Sequence, residues 1–212
     1  MTRLVLASTS PARLALLRAG GIEPITISPG VDEEALTARS IEMGLISTTA
    51  HMVQILAKAK AEAVLNDPRT AGAIIIGCDS SLEFDGQALG KPHEAEVARD
   101  RWKSMRGRAG TLFSGHWVID NRNPQPGKLP PAAGRVSSTI VHFADITDDE
   151  IDAYVATNEP LKVAGAFTID GLGGAFLRSI EGDAHTVIGL SLPVLRDLAT
   201  DLGVFYPSLW NK

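Results

Sequence analysis

The sequence predicts an α/β or α+β fold, a mixed central sheet with flanking helices. Three observations support this class. Residues 73–77 form a continuous apolar run around three β-branched isoleucines, of the kind found in a strand covered on both faces. Residues 50–65 repeat Val53, Leu56, Ala57 and Val64 at three- and four-residue intervals, the period of a helix. Strand-like and helix-like stretches then mix without strict βαβ alternation and without any internal repeat.

Length and composition agree. The 212 residues are 44% hydrophobic, enough to bury a sizeable core, and fit one domain over 1–212, or two tightly associated lobes, better than two independent units. A formal charge of -5 argues against a chain built mainly to bind nucleic acid or anionic membranes, which reward clustered Lys and Arg. The longest apolar stretches, 72–78 and 1–7, are too short to span a bilayer, and no charged-then-apolar signal region opens the chain. A cytoplasmic protein is expected. The single cysteine, Cys78, agrees with a reducing compartment and reads as a small buried hydrophobe.

The first strand is Arg3–Ala7, a short apolar run that breaks at Ser8-Thr9-Ser10-Pro11. A helix follows at once, with Ser10 as N-cap and Pro11 at the first helical position, where its missing N–H costs nothing. Gly20-Gly21 ends it. Residues 25–28 read as extended and lead into the acidic Val31-Asp32-Glu33-Glu34. Within the 50–65 helix, Lys60 falls inside the apolar stripe while Lys58 and Glu62 face the other way. Either Lys60 snorkels to water or its charge is used inside.

The 73–77 strand delivers Asp79 at its end. A hairpin comes next, with Asp85-Gly86 as the tight primed turn. Gly90-Lys91-Pro92 precedes a helix over 94–105, and strands follow at 111–119 and 135–143. The 121–134 segment, with four prolines and no periodicity, is expected to be an exposed loop. Thr147-Asp148-Asp149-Glu150 is a capping-box pattern opening a short helix to about residue 157. Beyond it, 165–174 is glycine-rich and irregular, 176–180 reads as a strand and 191–202 as a final helix.

The Ser8 to Arg13 turn joins a strand to a helix start, whose free N–H groups and positive dipole end attract an anion. Arg13 in that first turn is locally unfavourable unless a negative ligand offsets it; an ordinary capped helix with a solvated Arg is the plainer alternative. Asp79, the pair Asp32-Glu33, and Lys60 and Lys91 supply the remaining ingredients of a phosphoanhydride-cleaving site. A hard divalent ion such as Mg²⁺ needs only a few carboxylates beside phosphate oxygens and water, and Lys or Arg stabilise charge on the phosphoryl oxygens. Taken singly, each signal is weak, and Asp79 also reads as a turn residue. No Walker loop, dinucleotide fingerprint, nucleophile elbow or zinc-protease motif is present, and the five histidines lack ligand spacing. Gly171-Leu172-Gly173-Gly174 reads as a turn permitting close backbone approach rather than a dinucleotide loop.

Together these stretches resemble the Maf family of nucleotide pyrophosphatases, the septum-formation proteins. Leu6-Ala7-Ser8-Thr9-Ser10-Pro11-Ala12-Arg13 is similar to L-A-S-x-S-P-R-R, Gly77-Cys78-Asp79 to G-A-D, and Leu89-Gly90-Lys91-Pro92 to L-G-K-P. Glu159-Pro160-Leu161 with Ala164-Gly165-Ala166-Phe167 resembles E-P-x-x-K-A-G-A-Y, and Ile180-Glu181-Gly182-Asp183 and Val187-Ile188-Gly189-Leu190 match the closing motifs.

The resemblance implies a fold akin to the inosine-triphosphate pyrophosphatases, with two lobes around a cleft and usually a homodimer. It implies hydrolysis of a nucleoside triphosphate between its α and β phosphates to a monophosphate and pyrophosphate, with a divalent metal, Mg²⁺ or Mn²⁺. By carry-over Asp79 is the catalytic carboxylate, acting as proton acceptor or activator of a metal-bound water. Ser8, Arg13, Lys60 and Lys91 hold phosphates, and Asp32 and Glu33 match the acidic pair near the metal. Two departures stand out: the family branch preferring thymidine and uridine triphosphates has Arg where this chain has Ala12 and Gln where it has Asp170. An ionised Asp only accepts hydrogen bonds, which suits a guanine-type edge of paired donors better than a pyrimidine imide. The expected role is a house-cleaning hydrolase of modified or excess nucleotides; the competing reading is a non-enzymatic nucleotide sensor acting on cell division.

Overall fold

A computed structural model describes residues 1–125 and 127–211. It contains a seven-stranded mixed sheet in the order β2-β1-β3-β5-β6-β7, with β4 paired to β3. The strands are β1 (Arg3–Ala7), β2 (Ile25–Thr26), β3 (Ala73–Phe84), β4 (Gln87–Leu89), β5 (Ala109–Asn121), β6 (Ala132–Phe143) and β7 (Leu177–Glu181). The helices are α1 (Pro11–Ala19), α2 (Glu33–Glu42), α3 (Thr49–Ala63), α4 (Ala95–Met105), α5 (Asp148–Ala156), α6 (Ala184–Ile188) and α7 (Leu192–Asp201).

The chain divides into two compact units. The first comprises 1–79, 114–137 and 189–212, the second 80–113 and 138–188. In the first, β1 runs parallel to both β2 and β3, with Val5 opposite Ile25 on one side and Ile75 on the other. Val5, Ala7, Ile75, Ile119, Ala61 and Val64 form its buried core.

Helix α3 lies very close to the sheet because glycines face it. A Cβ on Gly77 would sit 2.7 Å from Ala61 N and closer still to Ala57 O. Gly115 meets the α3 backbone at Val53 and Gln54 in the same way, its Cβ 2.8 Å from Gln54 N. No side chain fits between strand and helix at these two points.

In the second unit Trp102 is fully buried, edge-on to Phe143 and Tyr154 at 5.6 Å and to Phe176 at 5.9 Å. Its indole N–H donates to Ala166 O at 2.7 Å, so the polar tip is satisfied. Ala166 and the preceding Gly165 both adopt left-handed φ, 62° and 69°. The hairpin turn is as expected: Asp85 and Gly86 have φ of 50° and 75°, and Phe84 pairs with Gln87.

Several expectations change in detail. Strand β3 continues from the apolar run through Asp79 to Phe84, because Asp79, Ser80 and Ser81 keep extended pairing despite their polarity. The two strands flanking the proline-rich segment reach Asn121 and resume at Ala132, so the loop is shorter than 121–134. Pro126 of that loop lies outside the described residues. Helices α2 and α6 were not anticipated. The first buries only Ser40 and so shows no apolar stripe, and the second is five residues long.

Candidate active site

The strand-to-helix turn after β1 forms as its sequence requires. Ser10 caps α1, its Oγ accepting from Arg13 N at 3.4 Å, and Ser8 Oγ accepts from Ser10 N at 3.1 Å. A concavity of about 230 Å³ opens here, lined by Ser8, Thr9, Ser10, Pro11, Leu14, Thr26 and Ser28. Hydroxyls and a helix N-terminus facing one hollow suit an anionic group.

Arg13 is anchored by backbone. Its Nε donates to Gly189 O at 2.8 Å and its Nη1 to Cys78 O at 2.9 Å, with Ser8 Oγ at 3.4 Å. The Gly189 carbonyl belongs to a turn that is itself fixed, because Ser191 N donates to Nε2 of the fully buried His116 at 2.7 Å. An accepting Nε2 places the His116 proton on Nδ1, which faces Arg135 O at 3.3 Å. The five histidines carried no pattern in sequence, so this role of His116 was not legible there.

The centre of the site is a cluster at the end of the first apolar run of β3. Lys60, only 6% exposed, places its ammonium 2.5 Å from Asp79 Oδ1 and 2.9 Å from Glu33 Oε1. Lys60 therefore does not snorkel to water; its charge is spent on two carboxylates. Asp79 is itself buried at 7% exposure. Burial pushes its carboxyl above the ordinary range, even though the charges of Lys60 and Arg13 pull the other way. The close approach of α3 at Gly77 is what brings Lys60 to Asp79, 19 positions away in sequence.

Of the acidic pair, Glu33 reaches this cluster. Asp32 instead caps α2, its Oδ1 accepting from Ala35 N at 3.0 Å. Among the described residues no group of three or more His, Cys, Asp or Glu side chains is gathered at one point. Asp79 Oδ1 and Glu33 Oε1 both meet the Lys60 ammonium, and carboxylates of this kind are the hard oxygen donors that Mg²⁺ takes beside phosphate oxygens and water. Cys78 is fully buried, and burial pushes its thiol up to about 12, so it is an inert packing residue whose carbonyl serves Arg13.

Lys91 and Asp170 belong to the second unit, and both are exposed. Gly90 O, just before Lys91, accepts from Arg101 Nη1 at 2.5 Å and from Gly165 N at 3.3 Å, which ties the L-G-K-P and A-G-A stretches together. The glycine-rich 171–174 turn is not a dinucleotide loop. The amides of Leu172 and Gly173 donate to Glu159, at 3.0 and 2.9 Å, and serve the protein itself.

The Maf-like protein family matches residues 3–202 of this chain. The chain belongs to the Maf family. Its relatives include proteins named nucleoside triphosphate pyrophosphatase from Leifsonia xyli subsp. xyli, 54% identical over 99% of this chain and 97% of that one, and from Streptomyces coelicolor, 53% identical over 98% and 94%. Another, from Rhodococcus opacus, is 49% identical over 99% and 97%. The solved Staphylococcus aureus Ham1 protein aligns with 68% of this Maf chain and 73% of its own at 13% identity and a TM-score of 0.38, too slight a likeness to bear on function.

Proposed function

We propose that this Maf protein is a nucleoside triphosphate pyrophosphatase, hydrolysing the α–β phosphoanhydride to a nucleoside monophosphate and pyrophosphate. The observation that carries the reading is the buried Lys60 ammonium held between Asp79 and Glu33. A buried cation between two carboxylates is a costly arrangement to keep for packing alone. Relatives about half identical over nearly the full chain bear the same activity in their names.

In this reading the Ser8 to Ser10 turn and the N-terminus of α1 bind phosphate oxygens, and Arg13, fixed by two carbonyls, adds positive charge there. Asp79, buried beside Lys60, takes a proton from the attacking water. Lys60 holds the Asp79 carboxylate in one orientation and offsets negative charge as the bridging oxygen leaves with pyrophosphate. Asp79 and Glu33 would hold a divalent ion, Mg²⁺ or Mn²⁺, which when bound neutralises phosphate charge. Lys91 adds a further phosphate contact. We further propose a cytoplasmic homodimer that takes nucleotide and neither nucleic acid nor membrane.

Asp170, as an acceptor-only carboxylate, favours a base edge presenting paired donors, as guanine and its modified forms do. The test is direct. Pure protein is incubated with a panel of nucleoside triphosphates and Mg²⁺ or Mn²⁺, and the products are identified. Monophosphate with pyrophosphate is expected, and chelation of the metal is expected to stop the reaction; orthophosphate without monophosphate would exclude it.

A further inference from the structure

One carboxylate in the second unit has no part in the phosphate chemistry. Glu159 Oε1 accepts from Tyr154 OH at 2.9 Å, Thr168 Oγ1 at 2.6 Å and Gly173 N at 2.9 Å, while Oε2 accepts from Leu172 N at 3.0 Å. Thr168 lies two residues before Asp170, and Leu172 lies two after it. The loop is wrapped around the side chain so tightly that glycine is needed. A Cβ on Gly171 would sit 2.6 Å from Glu159 Oε2, and one on Gly173 would sit 2.9 Å from Thr168 N. At its crest Asp170 stays exposed.

We infer that Glu159 is a positioning residue for base selection: by gripping both flanks of the 168–173 loop it fixes where Asp170 presents its carboxylate. This rests on the proposed role of Asp170 in reading the base. An acceptor on a mobile loop would accommodate several base edges, and discrimination needs the acceptor held in one place before the base arrives. A purely structural role for Glu159 would alter stability and leave the ranking of bases alone.

The test measures kcat/KM for guanosine, adenosine, cytidine and uridine triphosphates in the unaltered protein, Glu159→Ala, Glu159→Gln, Thr168→Val and Asp170→Asn, with amide hydrogen exchange over 168–174. Glu159→Ala is expected to shrink the ratio between best and worst base by about tenfold or more, through KM for the best base more than through kcat. Glu159→Gln and Thr168→Val are expected to do so less, because each keeps part of the grip, and loop exchange should rise in the same order. If Glu159→Ala does not fold, these two milder variants decide. Base ratios unchanged in both, while Asp170→Asn alters them, would overturn the inference. Ratios unchanged in Asp170→Asn would overturn the base-reading role and the inference with it. Failure of the pyrophosphatase reading appears separately, as absence of pyrophosphate release by the unaltered protein.

Discussion

Asp79 and Glu159 are two carboxylates withdrawn from water in opposite ways. Asp79, at the end of the apolar part of β3, is almost wholly buried and meets cations, with Lys60 at 2.5 Å. Glu159 is half-buried and meets neutral donors, two hydroxyls and two amides. Burial acts on Asp79 more strongly than its cations do, and its carboxyl is pushed up. Burial also pushes Glu159 up, but the hydrogen bonds from Thr168, Gly173, Leu172 and Tyr154 outweigh it and hold the carboxyl below its usual range. A carboxylate whose charged form is saturated with donors is an anchor. One that is desolvated beside opposite charge is suited to taking a proton.

The largest effect that could break this contrast is at Asp79. Asp79→Asn is expected to lower pyrophosphate release by about 10²–10⁴-fold or more while circular dichroism stays native, since the amide keeps the shape and removes the base. Near-normal turnover in that variant would end its role as proton acceptor. Gly77→Ala comes next. The added methyl meets α3 backbone, so a loss of about 1–3 kcal/mol in denaturant unfolding is expected, along with reduced turnover as Lys60 is moved from Asp79.

A comparable loss of stability is expected from Glu159→Ala, which leaves two amides and two hydroxyls without their acceptor and is expected to cost about 1–3 kcal/mol. The same comparison gives opposite slopes with pH. A raised folded pKa means the folded state binds more protons, so the Asp79 contribution favours folding in acid. It is lost as pH climbs from the unfolded value, about 3.9, through the raised folded one. Glu159 runs the other way: its contribution is present above the unfolded value, about 4.3, and is lost as pH falls through the lowered folded one. Melting temperatures between pH 3 and 8 should therefore show Asp79→Asn gaining on the unaltered protein as pH rises. Glu159→Gln should lose ground over the same rise. The smallest effect is at Cys78, whose buried thiol at about 12 should resist alkylation at pH 8 until the protein is unfolded.

Local rules made much of this molecule legible in advance. Ser10 and Thr147 cap their helices, Asp85-Gly86 turns the hairpin, and α3 was visible from its apolar stripe. Each depends on residues a few positions apart, whose physics is complete within the segment. Helix α2 escaped because its stability comes from the Asp32 cap and its acidic first turn rather than from a buried face. The odd placement of Lys60 in an apolar stripe signalled that its charge had a use, without saying which carboxylates would take it. The glycines at 171, 173 and 174 likewise announced close backbone approach, but the side chain that crowds Gly171, Glu159, lies a dozen residues earlier.

The sequence by itself determined most of the elements, their caps and turns, and the identity of the polar groups available for chemistry, because those depend on backbone preference and short-range hydrogen bonds. Only the tertiary structure decided which charges meet. Lys60 joins Asp79 and Glu33, Arg13 is tied to Gly189 and Cys78, and Glu159 holds the Asp170 loop. Charges act across ångströms of space and not along the chain, and here that spacing is set by how closely a helix or loop can lie against a glycine.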